Sequence, residues 1–401
     1  MMNLPEDFIR ETRQLMGEAR FNRFLGAFDE EAPVSIRVNP LSAAWQCQAA
    51  DKVPWCPEGY YLSGRPQFTF DPLFHAGCYY VQEAASMFVT HVIKWIMDNG
   101  QWTMEIPDNN YPLQVLDLCA APGGKSTAMR TVLPEGSLLV SNEPILTRAQ
   151  ILLENITKWG WPDCIVTNNY PRDFRKAKML FDLILCDVPC SGEGMFRKDP
   201  ATIGEWSLQN VEKCWRLQRE IVADAWECLN PGGLLIYSTC TYNIKENEEN
   251  VRWIMETYDA EPVAIPTDPS WNITGSLLPG FDAPVYRFIP SITRSEGLFM
   301  CVIRKEGVFS GCARKNIPLK SLTVDLPEGE HVDLSYQDAL RYLRGEALVL
   351  PADTPRGIVT VTYRGIPLGP AKNIGSRANN LYPKPWRIKS THLPSEPPII
   401  I

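Results

Sequence analysis

Two cysteines stand where thiol chemistry could be done. Cys190 lies in FDLILCDVPCSGEGMFRKDP, Phe181 to Pro200, in which an apolar run ends in an acid, a Pro-Cys pair and a glycine-broken turn closing on Arg197 and Lys198. Phe181 to Cys186 reads as a strand buried on both faces, so Asp187, Pro189 and Cys190 fall at its carboxyl end, where open α/β sheets bind ligands. Cys240 arrives in the same way, at the tip of the apolar run Leu234 to Ser238. Either cysteine alone reads more simply as a small buried hydrophobe. Two at strand ends, beside Asp187 and a ligand loop, read as a nucleophile and a partner thiol.

That loop is CAAPGGK: Cys119, Ala120, Ala121, Pro122, Gly123, Gly124 and Lys125. It follows a strand and opens a helix, so its glycines admit a close backbone approach and the helix start offers free N–H groups. GGKST resembles the end of a phosphate-cradling P-loop, but Cys119 occupies the place of that motif's first glycine. Glu143 stands twenty residues after Gly123 at the end of the next strand, the place of the acid that hydrogen-bonds ribose hydroxyls in dinucleotide-type folds. A ribose acid without the diphosphate loop suits an adenosine cofactor that lacks phosphates, S-adenosylmethionine.

The elements that must hold these residues are legible from Leu113 onward. Strand QVLDL, helix STAMRTVL, strand SLLVSNE, helix ILTRAQILLENITKW, strands CIVTN and FDLILCD, a helix from Leu208 to Leu229, a turn NPGG and strand LLIYS predict a parallel doubly wound sheet, closed by GLFMCVIRK. Before it, Pro5 to Phe28 predicts one or two amphipathic helices, Ser35 to Val38 a short strand, and Tyr79 to Trp95 a helix leading into the core.

The chain has 401 residues, 45% hydrophobic and 21% charged, without an apolar span long enough for a membrane helix. Its amphipathic N-terminus is unlike a signal peptide, so a cytoplasmic location is expected. The twelve cysteines include no C-x-x-C pair and the four histidines no metal-ligand spacing, which argues for reduced thiols and against zinc or histidine catalysis. The net charge is −8, yet Arg356 to Lys389 holds seven basic residues and no acid. Such a segment suits contact with phosphates.

These residues resemble the RNA 5-methylcytosine methyltransferases of the NOL1/NOP2/Sun family, and within it the bacterial small-subunit rRNA enzymes. The likeness is carried by LDLCAAPGGKS, SNE, CDVPCSGEGMFRKDP, LNPGGLLIYSTCTYNIKENEENV, RVNP and VQEAASM, and GPAKNIGSRANNLYPKPWRIK resembles the end of a PUA-like RNA-binding domain. It implies a Rossmann-like class I methyltransferase fold at 91–309, between a small N-terminal α/β domain at 1–90 and a PUA-like β-rich domain at 310–401. It further implies that Cys119 to Lys125, Glu143 and Asp187 bind S-adenosylmethionine, that Cys240 attacks, and that Cys190 assists product release. RNA contacts are expected of Arg197, Lys198, Lys384, Arg387 and Lys389, on rRNA in a subunit or an assembly intermediate, by a monomer without a metal. Two positions depart from the family: Tyr170 replaces an adenine-side aspartate, passing that contact to Asn168 or Asn169, and Ser291 replaces a histidine.

Two thiols suit this chemistry because cytosine C5 is a poor nucleophile until a thiolate adds to C6. Asp187 could serve both the cofactor and N3 of the ring, and the base must be single-stranded or flipped. The rivals are a tRNA enzyme, a DNA cytosine-5 methyltransferase, in which the STC thiol has no role, an amino-group methyltransferase, which would want an aromatic residue where Cys190 stands, and a non-catalytic ribosome-assembly protein.

Overall fold

A computed structural model describes residues 3–42, 51–99, 112–308 and 319–400. The chain opens with helices α1 (Glu6–Met16) and α2 (Glu18–Gly26), the one or two helices predicted. Strands β1 (Val34–Val38), β2 (Gly59–Leu62) and β3 (Tyr79–Val81) form a small antiparallel sheet that includes the short helix α3 (Pro72–His75) between its last two strands. Helix α4 (Phe88–Asp98) follows. The helix predicted from Tyr79 therefore starts nine residues later: Tyr79, Tyr80 and Val81 are good strand residues and pair with Val38, Arg37 and Ile36 of β1, a partner that local periodicity does not reveal.

The central domain alternates β4 (Gln114–Asp117), α5 (Gly124–Val132), β5 (Leu138–Asn142), α6 (Leu146–Trp159), β6 (Cys164–Thr167), α7 (Pro171–Lys176), β7 (Phe181–Asp187), α8 (Ala201–Glu205), α9 (Leu208–Glu227), β8 (Leu229–Thr239) and α10 (Glu248–Thr257), then β9 (Ala260–Pro262), β10 (Tyr286–Phe288) and β11 (Leu298–Lys305). The sheet order β10-β11-β8-β7-β4-β5-β6 is parallel from β8 to β6, with β10 and β11 antiparallel. Strand order reverses between β4 and β7, so the loops after these two strands open the crevice in which such sheets take ligands. Two local readings are corrected. The sequence between CIVTN and FDLILCD is not strand-to-strand: α7 starts there at Pro171, whose missing N–H costs nothing at a helix start, and Asp173 accepts the N–H of Tyr170. The NPGG segment is an irregularity inside β8 rather than a turn before it, since Leu229 already pairs with Phe181.

The C-terminal domain has β12 (Ser321–Leu322), β13 (Glu330–Asp333), α11 (Tyr336–Leu343), β14 (Gly357–Tyr363), β15 (Ile366–Asn373) and β16 (Ala378–Asn380). Strands β13 to β16 make a separate sheet, but β12 adds to the edge of the central one beside β6. The expected boundary at 309/310 lies outside the described residues. One apolar core joins Ile36, Leu73 and Tyr79 of the N-terminal part to Leu340, Tyr342, Val359 and Trp386 of the C-terminal domain. The amphipathic stripe of α1 and α2 goes elsewhere. Phe8 packs edge-on against Phe196 at 5.1 Å and Phe24 against Tyr242 at 4.9 Å, so these helices brace the loops that carry the thiols.

Candidate active site

The loop after β4 is shaped by Gly123, whose φ of 114° suits only glycine. It caps α5, and Thr127 bonds back to its carbonyl. A cavity of about 170 Å³ opens at the carboxyl ends of β4 and β7 and brings together Cys119, Ala120, Ala121, Pro122, Gly124, Lys125 and Asp187 in its lining. Gly123 sets the turn without lining it. Across the cavity stand Tyr80, Val81, Gln82, Glu83 and Ser86, which sequence reasoning did not place here, and Asp117. Asp117 is fully buried: Ser126 Oγ donates to its Oδ2 at 2.6 Å, Oδ1 has no partner, and burial pushes its carboxyl up to about 7. The signal was present in the sequence as an acid inside the apolar strand VLDL.

Asp187 Oδ2 accepts Lys125 Nζ at 2.7 Å. Burial opposes the Lys125 charge, but the Asp187 carboxylate more than offsets it and the Cys240 sulfur adds to the effect, so the ammonium is held above its usual range. Glu143 is 1% exposed just past β5; its Oε1 accepts the Ile145 N–H at 3.0 Å and its Oε2 has no hydrogen bond, with Arg148 3.4 Å away. It lies beside the cavity rather than in its wall. Unspent buried acceptors on Asp117 and Glu143, with a glycine-lined wall between the strand ends, fit a nucleoside that carries an amino group and ribose hydroxyls.

Asn168 and Asn169, expected to take the adenine contact, have their side-chain amides engaged by other partners. Asn168 Nδ2 donates to the carbonyls of Glu143 and Pro144 while its Oδ1 accepts Lys320 Nζ at 2.9 Å; Asn169 donates to the Lys320 carbonyl. Both amides hold the strand β12 linker. Tyr170 points outward, 56% exposed, with Arg172 over its ring. Ser291 takes a left-handed φ of 64° and its carbonyl accepts from Arg23.

The two thiols meet: Cys190 Sγ and Cys240 Sγ are 3.2 Å apart, both free. The hydrogen bond with Cys240, followed by burial, holds the Cys190 thiol well above its usual range. Their loops are laced by two carboxylates in opposite directions. Glu193 of the first loop accepts the N–H groups of Tyr242 and Asn243 at 2.6 and 3.0 Å; Glu246 of the second accepts the Ser191 N–H at 3.0 Å. Gly194 lets the strands of chain touch, its N–H donating to the Cys240 carbonyl at 2.8 Å where a Cβ would come within 2.7 Å of that oxygen. Below Tyr242 lies a buried ion pair. Arg287 Nε donates to Glu248 Oε1 at 2.7 Å, its Nη2 to Oε2, and its Nη1 to the Tyr242 carbonyl at 2.7 Å.

The basic residues divide. Arg197 is not available to RNA: its side chain is 5% exposed and its Nη1 bonds Glu296 at 3.0 Å, tying the end of the thiol loop to the approach to β11. Lys198 is exposed. In the C-terminal domain Lys384 and Lys389 are exposed, whereas Arg387 is half-buried against Gly345 with its guanidinium on the Tyr382 carbonyl. Among the described residues no three His, Cys, Asp or Glu side chains gather as metal ligands, and no helix is long and apolar enough to cross a membrane.

A parallel sheet whose order reverses at a glycine loop, with acids at the carboxyl ends of three adjacent strands, β7, β4 and β5, is a Rossmann-like methyltransferase fold, and its cofactor is S-adenosylmethionine. Residues 103–304 match the 16S rRNA methyltransferase RsmB/F family, 4–84 the N-terminal domain of 16S rRNA methyltransferase RsmF, and 330–388 the methyltransferase RsmF PUA domain. The chain belongs to the 16S rRNA methyltransferase RsmB/F family. It is 33% identical over 323 residues to the ribosomal RNA small subunit methyltransferase F of Cronobacter sakazakii and 33% over 322 residues to that of Escherichia coli O17:K52:H18, in each case 75% of this chain and 63% of the relative. It thus spans about 63% of the length of these curated relatives. Among solved structures, a methyltransferase homologue from Pyrococcus horikoshii matches with a TM-score of 0.61 and 25% identity over 76% of this chain and 96% of the other. NSun6 from Pyrococcus horikoshii matches with 0.60 and 19% over 76% and 99%, a likeness of fold.

Proposed function

We propose that the protein methylates C5 of cytosine in small-subunit rRNA through a transient bond between Cys240 and C6 of the base. The observation that carries this reading is the thiol pair at 3.2 Å at the carboxyl ends of two core strands. Cys190 is within reach to donate its S–H to the Cys240 sulfur, and the Lys125 ammonium acts on the same sulfur. The Cys240 electron pair forms the S–C6 bond, and the C5=C6 π pair moves toward C5 with charge spread over N3, to which Asp187 would donate in its protonated form. S-adenosylmethionine, when bound, supplies an electrophilic methyl group to C5. In the elimination Cys190 passes its proton to the departing Cys240 sulfur, and the Cys190 thiolate so formed takes the C5 proton as C5=C6 is restored. A thiol held above its usual range makes a strong base once deprotonated, which suits this second role. Incubation with labelled methyl donor and 16S rRNA should place label in 5-methylcytosine; label confined to an exocyclic amine, or to DNA, would refute the reading.

Cys119 to Lys125, Asp187, Asp117 and Glu143 would hold the cofactor, Glu143 through the ribose. Glu143→Ala is expected to weaken binding by about 1.5–3 kcal/mol, as for a lost hydrogen bond to a charged group; calorimetry returning the parent affinity would remove Glu143 from the site. The division into 1–90, 91–309 and 310–401 is supported by the order of the three family matches, at 4–84, 103–304 and 330–388, although 90/91 falls inside α4. In the last part the exposed Lys384 and Lys389 are the cations suited to phosphates. Their joint replacement by Ala should flatten the salt dependence of RNA affinity by roughly 0.7 per lost contact on single strands, while an unchanged slope would make them an ordinary solvated face.

A further inference from the structure

Two sequence motifs, RVNP and VQEAASM, have no role in the chemistry so far, and their residues Arg37 and Gln82 meet behind the cofactor loop. Arg37 is 1% exposed and its bonded partners are neutral: Nε donates to Gln82 Oε1 at 2.8 Å, Nη2 to Thr127 Oγ1 at 2.6 Å and to the Gly124 carbonyl at 3.3 Å, and the guanidinium lies 4.3 Å from the Trp159 ring centroid. An arginine N–H can only donate, so the Gln82 atom that faces it is the oxygen. The amide nitrogen is thereby turned away from Arg37. Gln82 is 5% exposed, its Nε2 has no hydrogen-bond partner, and a Cβ on Gly124 would come within 3.4 Å of that nitrogen. The unspent donor thus sits above the first residue of α5, in the wall of the cavity shared with Asp117, Lys125 and Asp187.

An unpaired buried donor beside a helix N-terminus calls for an anion. We propose that Gln82 donates to the methionine carboxylate of S-adenosylmethionine, with Arg37 as the positioning residue that locks its amide, and that Asp117 Oδ1 takes the neighbouring ammonium. The N-terminal part of the chain would then supply half of the amino-acid subsite, and the same residues that hold the cofactor would fasten that part to α5. The inference rests on the cofactor lying over Cys119 to Lys125.

The test is calorimetry with S-adenosylhomocysteine and with 5′-methylthioadenosine, which keeps the nucleoside and thioether but lacks the amino acid. Gln82→Ala should lower affinity for S-adenosylhomocysteine about ten- to a hundredfold and leave 5′-methylthioadenosine unchanged. Gln82→Glu, of the same size, should be at least as selective through charge repulsion, and Arg37→Lys should move the ratio of the two affinities in the same direction by a smaller factor. Equal losses for both ligands, or none for either, would overturn the assignment. Glu143→Ala is the control, because both ligands carry the ribose: if it weakens neither, the placement of the cofactor fails and the inference with it. If it weakens both while Gln82→Ala is unselective, only the carboxylate assignment falls.

Discussion

Cys190→Ala should leave the protein fixed to its RNA. With Cys240 intact the S–C6 bond can form and the methyl group can be transferred, but the proton that must reach the departing sulfur and the base that must take the C5 proton are both missing. The product is a denaturant-resistant protein–RNA species that requires S-adenosylmethionine. Cys240→Ala should give no such species and no methylation, since the adduct is formed by the Cys240 sulfur, and the double variant should behave as Cys240→Ala does. General acid–base help is worth about 10² to 10⁴ in rate, so turnover by Cys190→Ala should fall by at least that factor while adduct accumulates. Denaturing gels of the three variants on the same RNA check this. Adduct in Cys240→Ala and none in Cys190→Ala would reverse the roles of the two thiols.

The second large effect is expected far from any reacting atom. Glu248 and Arg287 are 0% and 1% exposed in their side chains, and both guanidinium edges are used, one on the carboxylate and one on the Tyr242 carbonyl. Glu248→Ala strands a buried cation and should cost about 3–5 kcal/mol. Replacing both residues, Glu248→Leu with Arg287→Met, should recover part of that loss, because the stranded charge is gone while the Tyr242 carbonyl and the Leu277 N–H lose their partners. Urea unfolding of the single and double variants measures it. A single-variant loss below about 1 kcal/mol would mean that water reaches the pair. The loop holding Cys240 hangs from this pair through Tyr242, so the single variant should also lose activity at temperatures where it is still folded.

What could be read from the residues was whatever is encoded over short stretches. Phe181 to Asp187 is apolar apart from Asp182 and the terminal Asp187 because a central parallel strand is buried on both faces, and it forms β7 as predicted. Gly123 and Gly124 marked the loop, and Cys190 and Cys240 were placed together through the strands that end at them. The residues that were missed or misread depend on partners distant in sequence. Arg197 looked like a free cation at a loop end, but its partner Glu296 is 99 residues away. Gln82 was part of a quoted motif without a purpose until Arg37, 45 residues earlier, fixed the direction of its amide. Asn168 and Asn169 looked available because Lys320, which takes both, is some 150 residues further along. Asp117 is the exception, legible locally as an acid in an apolar strand and passed over because the loop beside it already explained the site.

The two-residue strand β12 has a consequence for how the chain can be divided. Ser321 and Leu322 pair with Thr167 and Val166, covering backbone donors and acceptors of β6 that would otherwise lie open at the rim of the central sheet. An uncovered edge of this kind is a template for another strand and a route to aggregation. Cutting the chain where the C-terminal domain begins in sequence would remove that cover together with Lys320, leaving the amides of Asn168 and Asn169 without the lysine that orients them. The methyltransferase domain is thus a smaller unit on paper than in space: its last piece of sheet comes from the segment that leads to the PUA domain.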